Sequence, residues 1–434
     1  MSFTAAASSE MKRKFEKKPT LLGEKAGKNS CCIFRVPRSL MEINQKAYHP
    51  LIVSIGPYHH GAEHLTMIEE HKRRFVRSLL DRTGNTWRNN LDRCFGAVVL
   101  LETEIRECYS ETNRFGSSQL IEMMVVDGCF IIELVWELLN KPTRDPDDPI
   151  FKMDWILPFV MRDLLKLENQ IPYFVLEKLF EISVPNPRDT LQNLILRFFS
   201  FSLEKPGSVR ANERKFEGKH LLDLVRKSFQ PQSSRSQTES EKSNKHLIQP
   251  AKKLDRAGIK FETRNRQNIC FLDVKFSNGV FKIPPLRMDD FITCFILNCV
   301  AFEQCYGYCE KFVTDYATLM GCLINNQNDA SFLSDHKIIE NYYGTDEEVT
   351  RFFEKVCKDV AFDLEKSYLY KLIEDVNQYY WNDWHVRWAS FKHTYFDTPW
   401  SFMSALAALI LLVLTMIQAF MAYYAYVHPP KQSS

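Results

Sequence analysis

His59, His60 and His64 form an H-H-x3-H run close to His71. Three imidazoles completed by a carboxylate such as Glu63 or Glu69 could bind zinc or copper. The first two are adjacent in a turn after Pro57 and point different ways, whereas a metal pair on one element usually sits at i,i+4. The ordinary alternative is a turn whose histidines hydrogen-bond locally. Cys294, Cys299, Cys305 and Cys309 form a second group, but none makes the C-x2-C spacing of a zinc pair. A free cysteine packs as a small apolar residue, the alternative being a metal or redox pair. Asp127 in MMVVDGCFII and Glu168 in LLKLENQIP place carboxylates inside apolar runs. A buried acid with a shifted pKa can act as a catalytic base. Buried polar groups also tie loops and helix ends together, and Glu168-Asn169-Gln170 suits bonding to nearby backbone. The chain has no phosphate-cradling glycine loop, no nucleophile elbow and no H-E-x-x-H pair. The sequence therefore assigns no catalytic, cofactor-binding or metal-ligating residue, and no cofactor.

The elements that must position these residues are mostly helices. Leu65, Ile68, Phe75, Val76 and Leu79 make one apolar stripe, supported by Glu69–Arg73 and Glu70–Arg74 pairs. Residues 91–112 and 119–139 read as two more helices, the second apolar enough to be buried. Residues 141–149 carry three prolines and read as a loop. Residues 1–30 are polar and Lys-rich and read as a disordered basic arm. Its run Lys12, Arg13, Lys14, Lys17, Lys18 could touch anionic lipid, a solvated tail being the ordinary alternative. Residues 203–246, with SFQPQSSRSQTESEKSN, read as a disordered polar insert.

Strands are expected at 258–261, 270–276 and 280–283, the last two joined through Asn278-Gly279, a strong hairpin signal. Pro284-Pro285 should end the hairpin. Thr345 with Glu348 reads as a capping box. The expected fold is mainly α: a helical globular domain in two parts, 31–202 and 247–398, with a small β-hairpin element, plus one C-terminal transmembrane helix.

That last helix carries the clearest signal. From Pro399 to Val427 there is no Asp, Glu, Lys, Arg or His. About 20 apolar residues cross the hydrocarbon core of a bilayer. The expected anchor comprises Trp400, Leu409, Leu412, Leu414, Ile417, Phe420, Tyr423 and Tyr424, with Trp400 and the tyrosines at the two interfaces. Thr415 and Gln418 could bond across a pair of such helices, so self-association is an expected use of the span. An aromatic, basic collar, WNDWHVRWASFKHTYF (381–396), precedes it, and a short tail, 428–434, follows.

A net charge of +2 implies no general attraction to nucleic acid. The N-terminus lacks the apolar core of a signal peptide, and no Asn begins an N-x-Ser/Thr sequon. The twelve cysteines show no compact disulfide pattern. Together with Arg387 and Lys392 before the span against Lys431 after it, these features put the bulk of the chain in the cytosol.

RVPRSLMEINQKAYHPLIVSIGPYHHG (35–61), VVDGCFIIELV (125–135), DLLKLENQIPYFVLEKLF (163–180), FLDVKFSNGVFKIPPLRMDD (271–290), AFEQC (301–305) and SYLYKLIEDVNQYY (367–380) together resemble the plant domain-of-unknown-function 247 family. The ending YFDTPWSFMSALAALILLVLTMIQ is similar to that family's usual terminus. The resemblance runs over about residues 33 to 430 in one order. It implies a plant protein with one membrane span and no established catalytic residues. Some members are implicated in pollen–stigma recognition, which pulls toward a domain exposed outside the cell. The expected function is a single-pass, membrane-anchored interaction or recognition protein of the plasma membrane, with the bilayer and an unidentified protein as partners. The alternative is a membrane-proximal enzyme using Asp127, Glu168 or the histidines.

Overall fold

Leu120 to Val135 is apolar at twelve of sixteen positions, broken only by Glu122, Asp127, Gly128 and Glu133, and a helix apolar on most faces must be covered on most faces. The helix Ser117–Asn140 is so covered, by Thr66–Asp81, Trp87–Val99, Tyr173–Ser183 and Leu191–Leu203. The closest approach is at Gly128, where a Cβ would lie 2.4 Å from Leu179 Cδ1. The helix gives up some propensity there so that its neighbour can pack against its backbone. The computed structural model describes residues 2–42, 44–82, 86–112, 114–140, 147–184, 187, 189–203, 216–231, 247–264, 269–342, 344–382 and 399–427.

A second helix, Asp290–Cys305, is buried over most of its length. Asp289 caps it by accepting from the Phe291 and Ile292 N–H groups. Phe312–Leu323, Leu221–Ser228, Gln45–Tyr48, Leu191–Leu203 and Ile156–Asp163 pack around it. The two helices share one hydrophobic core, continuous from Cys31 to Val376. The fold is mainly α with two small sheets, as expected.

The first sheet has the order β1-β3-β2, with β1 Lys260–Thr263, β2 Lys275–Ser277 and β3 Val280–Ile283. The hairpin is where the sequence places it. Ser277 pairs with Val280, and Asn278 and Gly279 both hold positive φ, 52° and 73°, as a two-residue turn of this hand requires. β1 joins β3 in parallel. Two details differ from expectation. Residues 270–274 are a turn, in which the Asp273 N–H donates to the Cys270 carbonyl at 2.9 Å. Beyond Pro284-Pro285 a further strand, β4 Leu286–Met288, pairs in parallel with β5 Ile339–Asn341. Strands of three residues are too short to show a period. The Thr345–Glu348 box forms, with the Glu348 N–H donating to Thr345 Oγ1 at 3.3 Å.

The polar insert is corrected. Residues 216–231 belong to the core: in Leu221–Ser228, Leu221, Leu222, Leu224, Val225 and even Arg226 are buried. The physical reason is that HLLDLVRKSF holds about two amphipathic turns that the polar composition of its flanks conceals. The flanks, 204–215 and 232–246, lie outside the described residues. The N-terminal arm also holds structure: Ser2–Phe15 is a helix. Residues 20–29 dock on the domain through Gly23 N to Ser110 O (2.7 Å), Thr112 N to Thr20 O (2.9 Å) and Lys25 to Glu107 (2.5 Å). The proline loop 141–146, collar residues 383–396 and the tail 428–434 also lie outside the described residues, as do the side chains of Trp400 and Tyr426.

Candidate functional site

The carboxylates flagged by the sequence share one buried polar network, and its partner is backbone. The Ile156–Asp163 helix ends in a turn, 163–170, all of whose residues are buried. This turn grips the segment 33–59, which is irregular apart from the short helices Arg38–Met41 and Gln45–Tyr48. Asp163 Oδ2 accepts from the N–H groups of Leu51, Ile52 and Val53 at 2.8, 2.8 and 3.1 Å. Asn169 Oδ1 accepts from Ile55 N at 2.7 Å, and its amide donates to the carbonyls of Val53 and Asp163, each at 3.0 Å. Lys166 Nζ pairs with Asp163 at 2.9 Å and donates to the Lys46 and His49 carbonyls. Gln170 closes the turn on itself, donating to the Leu164 and Lys166 carbonyls at 2.8 Å. A chain with so few regular partners needs its N–H groups satisfied by side chains, and these supply them.

Asp127 and Glu168 do the same work at two other points. Asp127 Oδ2 accepts from Gly56 N at 2.8 Å, and Oδ1 accepts from the buried Lys72 ammonium at 2.6 Å. Lys72 also donates to the Ser54 carbonyl. Gly56 sits at φ +71°, and a Cβ there would lie 2.4 Å from the Gln170 carbonyl oxygen. Glu168 Oε1 accepts from Val36 N at 2.8 Å. Its Oε2 lies 2.8 Å from Arg35 Nη1 and 3.0 Å from His59 Nε2. Burial alone would push this carboxyl up, but bonds from His59, Arg35 and Val36 outweigh it and hold the group below the usual carboxylate range. The Arg35 guanidinium stacks 4.2 Å above the Tyr58 ring, at the half-exposed mouth of the network.

The histidines diverge. His59 turns to Glu168, and its ring lies 5.6 Å from that of His49. His60 meets the edge of Phe115, His64 lies 3.4 Å from the Pro50 carbonyl, and His71 Nδ1 accepts from Arg74. Glu69 pairs with Lys72 at 2.6 Å. Among the described residues, no group of three or more His, Cys, Asp or Glu is placed to hold a metal ion. The four cysteines do not converge on one point either. Cys294 donates to the Ala47 carbonyl and Cys309 to the Tyr306 carbonyl, at 3.1 and 3.2 Å. Burial pushes the thiols of Cys305 and Cys309 up to about 12 and that of Cys294 to about 11, away from the reactive thiolate.

Lys72, Asp163 and Lys166 were not among the candidates read from the sequence. Lys72 carries a legible signal: it falls on the apolar stripe of its own helix, between Ile68 and Phe75. Asp163 and Lys166 carry none, because their partners lie more than a hundred residues away in the chain.

A second buried cluster joins the supposed insert to the core. Arg226 pairs with Asp223 at 2.9 Å and Glu303 at 2.8 Å. Glu303 also accepts from Val313 N, Thr314 N and the Thr314 hydroxyl. His220 caps the short helix, Nδ1 accepting from Asp223 N at 3.2 Å, so Nε2 carries the proton that meets the Cys32 carbonyl at 3.1 Å. Burial lowers the His220 pKa to about 4. The unfolded imidazole titrates near 6.5 and so binds more protons between the two values. Stability is thus expected to be full above pH 6.5 and to fall as pH drops toward 4, by roughly 3 kcal/mol in all. Urea unfolding midpoints between pH 4.5 and 7.5 check this, and the slope should flatten in His220→Asn.

The cluster borders a cleft of about 830 Å³. Tyr173, Phe174, Phe216 and Tyr308 are among its aromatic walls, and Glu177 and Glu217 stand with them. At the far end of the chain, in the helix Pro399–Val427, no residue from Leu406 to Tyr424 is buried. Leu409, Leu412, Leu414, Ile417, Phe420, Tyr423 and Tyr424 are all at least half exposed. The Thr415 hydroxyl donates to the Leu411 carbonyl at 2.7 Å, within its own helix.

Residues 33–414 match the family described as plant protein of unknown function, DUF247. The UPF0481 protein At3g47200 of Arabidopsis thaliana is 42% identical over 413 residues, covering 90% of this chain and 86% of the relative. A second UPF0481 protein of the same plant, At3g02645, is 23% identical over 476 residues, covering 86% of this chain and 87% of its own. No solved structure matches the chain. With nine-tenths of the chain aligned to one relative and the whole buried network inside the matched residues, this protein belongs to the DUF247 (UPF0481) family of plant proteins.

Proposed function

We propose that the chain is a single-pass membrane protein whose helical domain binds a protein partner and performs no catalysis, serving plant signalling or reproductive recognition. The observation that carries the anchoring is the bare apolar helix. A helix of this length and composition buried in a core would be covered, yet Leu406–Tyr424 has no buried residue. Water is a poor solvent for such a surface, and a bilayer is a good one. The non-catalytic reading is supported by the use made of the candidate groups. Asp127 and Glu168 are occupied by the Gly56 and Val36 N–H groups and by buried cations, and the histidines point to four separate partners. The aromatic-lined cleft beside Arg226 is a concave face on which a partner's side chains would fit.

The reading places the anchor in the plasma membrane with the domain in the cytosol; the outward-facing arrangement is the alternative. The wild-type chain, expressed in plant cells, should stay in the membrane pellet after alkaline carbonate extraction. Leu412→Arg with Leu414→Arg should release it, because each arginine at the helix centre costs about 2.5–3.5 kcal/mol of insertion. A double variant that remained in the pellet would overturn the span. Protease added to sealed vesicles with the cytosolic face outward should digest the domain; full protection would favour the other side. Proximity labelling from the N-terminus would then name the partner.

A further inference from the structure

We infer that the N-terminal helix Ser2–Phe15 is a second, peripheral contact with the membrane, laid on the anionic headgroups of the bilayer that holds the C-terminal helix. The inference rests on the membrane reading above and adds a surface to it. Residues 10–18 hold five basic side chains, Lys12, Arg13, Lys14, Lys17 and Lys18, against Glu10 and Glu16. Large apolar side chains stand among them with no core to enter: Met11 is 56% exposed and Phe15 76%, followed by Leu21 at 81% and Leu22 at 66%. Met11 and Phe15 are four residues apart on the helix and so share a face. A solvated tail has no use for exposed apolar side chains, whereas an interfacial helix inserts them below its cations, as Met11 and Phe15 would here, with Leu21 and Leu22 following just beyond the helix.

The arm is also held at its base. Gly23 and Thr20 bond to Ser110 and Thr112 and Lys25 to Glu107, so the helix projects from one fixed place on the domain. Charge complementarity selects the lipid. The cytosolic leaflet is the anionic one, and each cation near its surface multiplies binding by roughly fivefold. Residues 383–398, between the domain and the span, reach at most about 55 Å, so the tethered domain stays near the surface.

The test uses the full chain reconstituted into vesicles of phosphatidylcholine alone, or with about a third phosphatidylserine. Trypsin cleavage after Lys12, Arg13, Lys14 and Lys17 is followed by mass spectrometry, with cleavage elsewhere in the chain as the internal control. We expect at least fivefold slower cleavage of the arm on the anionic vesicles only. The protection should vanish in 0.5 M NaCl, where charge is screened within a few ångströms, and in the quadruple variant Arg13→Gln, Lys14→Gln, Lys17→Gln, Lys18→Gln, followed at Lys12. Equal arm cleavage on both vesicle types overturns the inference. Carbonate extraction of the same vesicles reads the span separately: a chain that is released has lost the anchor, whereas a retained chain with an unprotected arm has lost only the second contact.

Discussion

Asp163→Ala should leave the domain unable to hold its native fold at physiological temperature. The carboxylate is fully buried, accepts three successive backbone N–H groups and pairs with Lys166. Its removal orphans the N–H groups of Leu51, Ile52 and Val53, each costing about 1–3 kcal/mol when buried without a partner. It also strands the Lys166 ammonium, and breaking a buried pair from one side costs about 3–5 kcal/mol. These costs overlap and do not simply add, but a loss of about 5 kcal/mol is comparable to the whole stability of a typical domain. Loss of the protease-resistant domain, or a collapse of the urea midpoint in detergent, is the expected measurement. Asp163→Asn keeps an acceptor for the N–H groups and loses only the charge, so it should fall between. A midpoint for Asp163→Ala within about 1 kcal/mol of the wild type would show that water, and not the carboxylate, satisfies the 51–53 backbone.

Arg226→Met is the second large effect, and it tests the least expected part of the fold. A disordered insert would tolerate the change with almost no cost. In the structure the guanidinium neutralises Asp223 and Glu303 and donates to the Glu310 carbonyl at 2.9 Å. Burial pushes Glu303 up in pKa even with Arg226 beside it, and removing the arginine leaves two carboxylates in the core. The expected loss is about 3–5 kcal/mol at neutral pH. Part of it should return in acid, where Glu303 can take up a proton in place of the missing charge. The difference in urea midpoint between Arg226→Met and the wild type at pH 5 and at pH 7.5 reads both effects, and no difference at pH 7.5 would return residues 216–231 to the solvent.

Different features were legible for different reasons. Helical periodicity placed the Thr66–Asp81 and Ser117–Asn140 helices, since a repeating stripe survives in one dimension. Asn278-Gly279 placed the hairpin, because few other residue pairs hold two positive φ angles. The short helix at 221–228 was lost, as eight residues cannot outweigh the polar composition on either side. The pairing of β4 with β5 was lost because its partner lies some fifty residues downstream.

By itself the sequence determined the helical class, the hairpin, the apolar C-terminal helix and the family. All of these rest on local composition, short-range periodicity or the order of motifs. Only the tertiary structure decided what the buried acids contact. Asp127 and Glu168 look alike in sequence, as carboxylates within apolar runs, and a base poised for catalysis would look the same. What separates the readings is the identity of the atoms opposite each carboxylate. Those are backbone N–H groups and cations of residues 35–72, brought there by the packing of helices far apart in the chain.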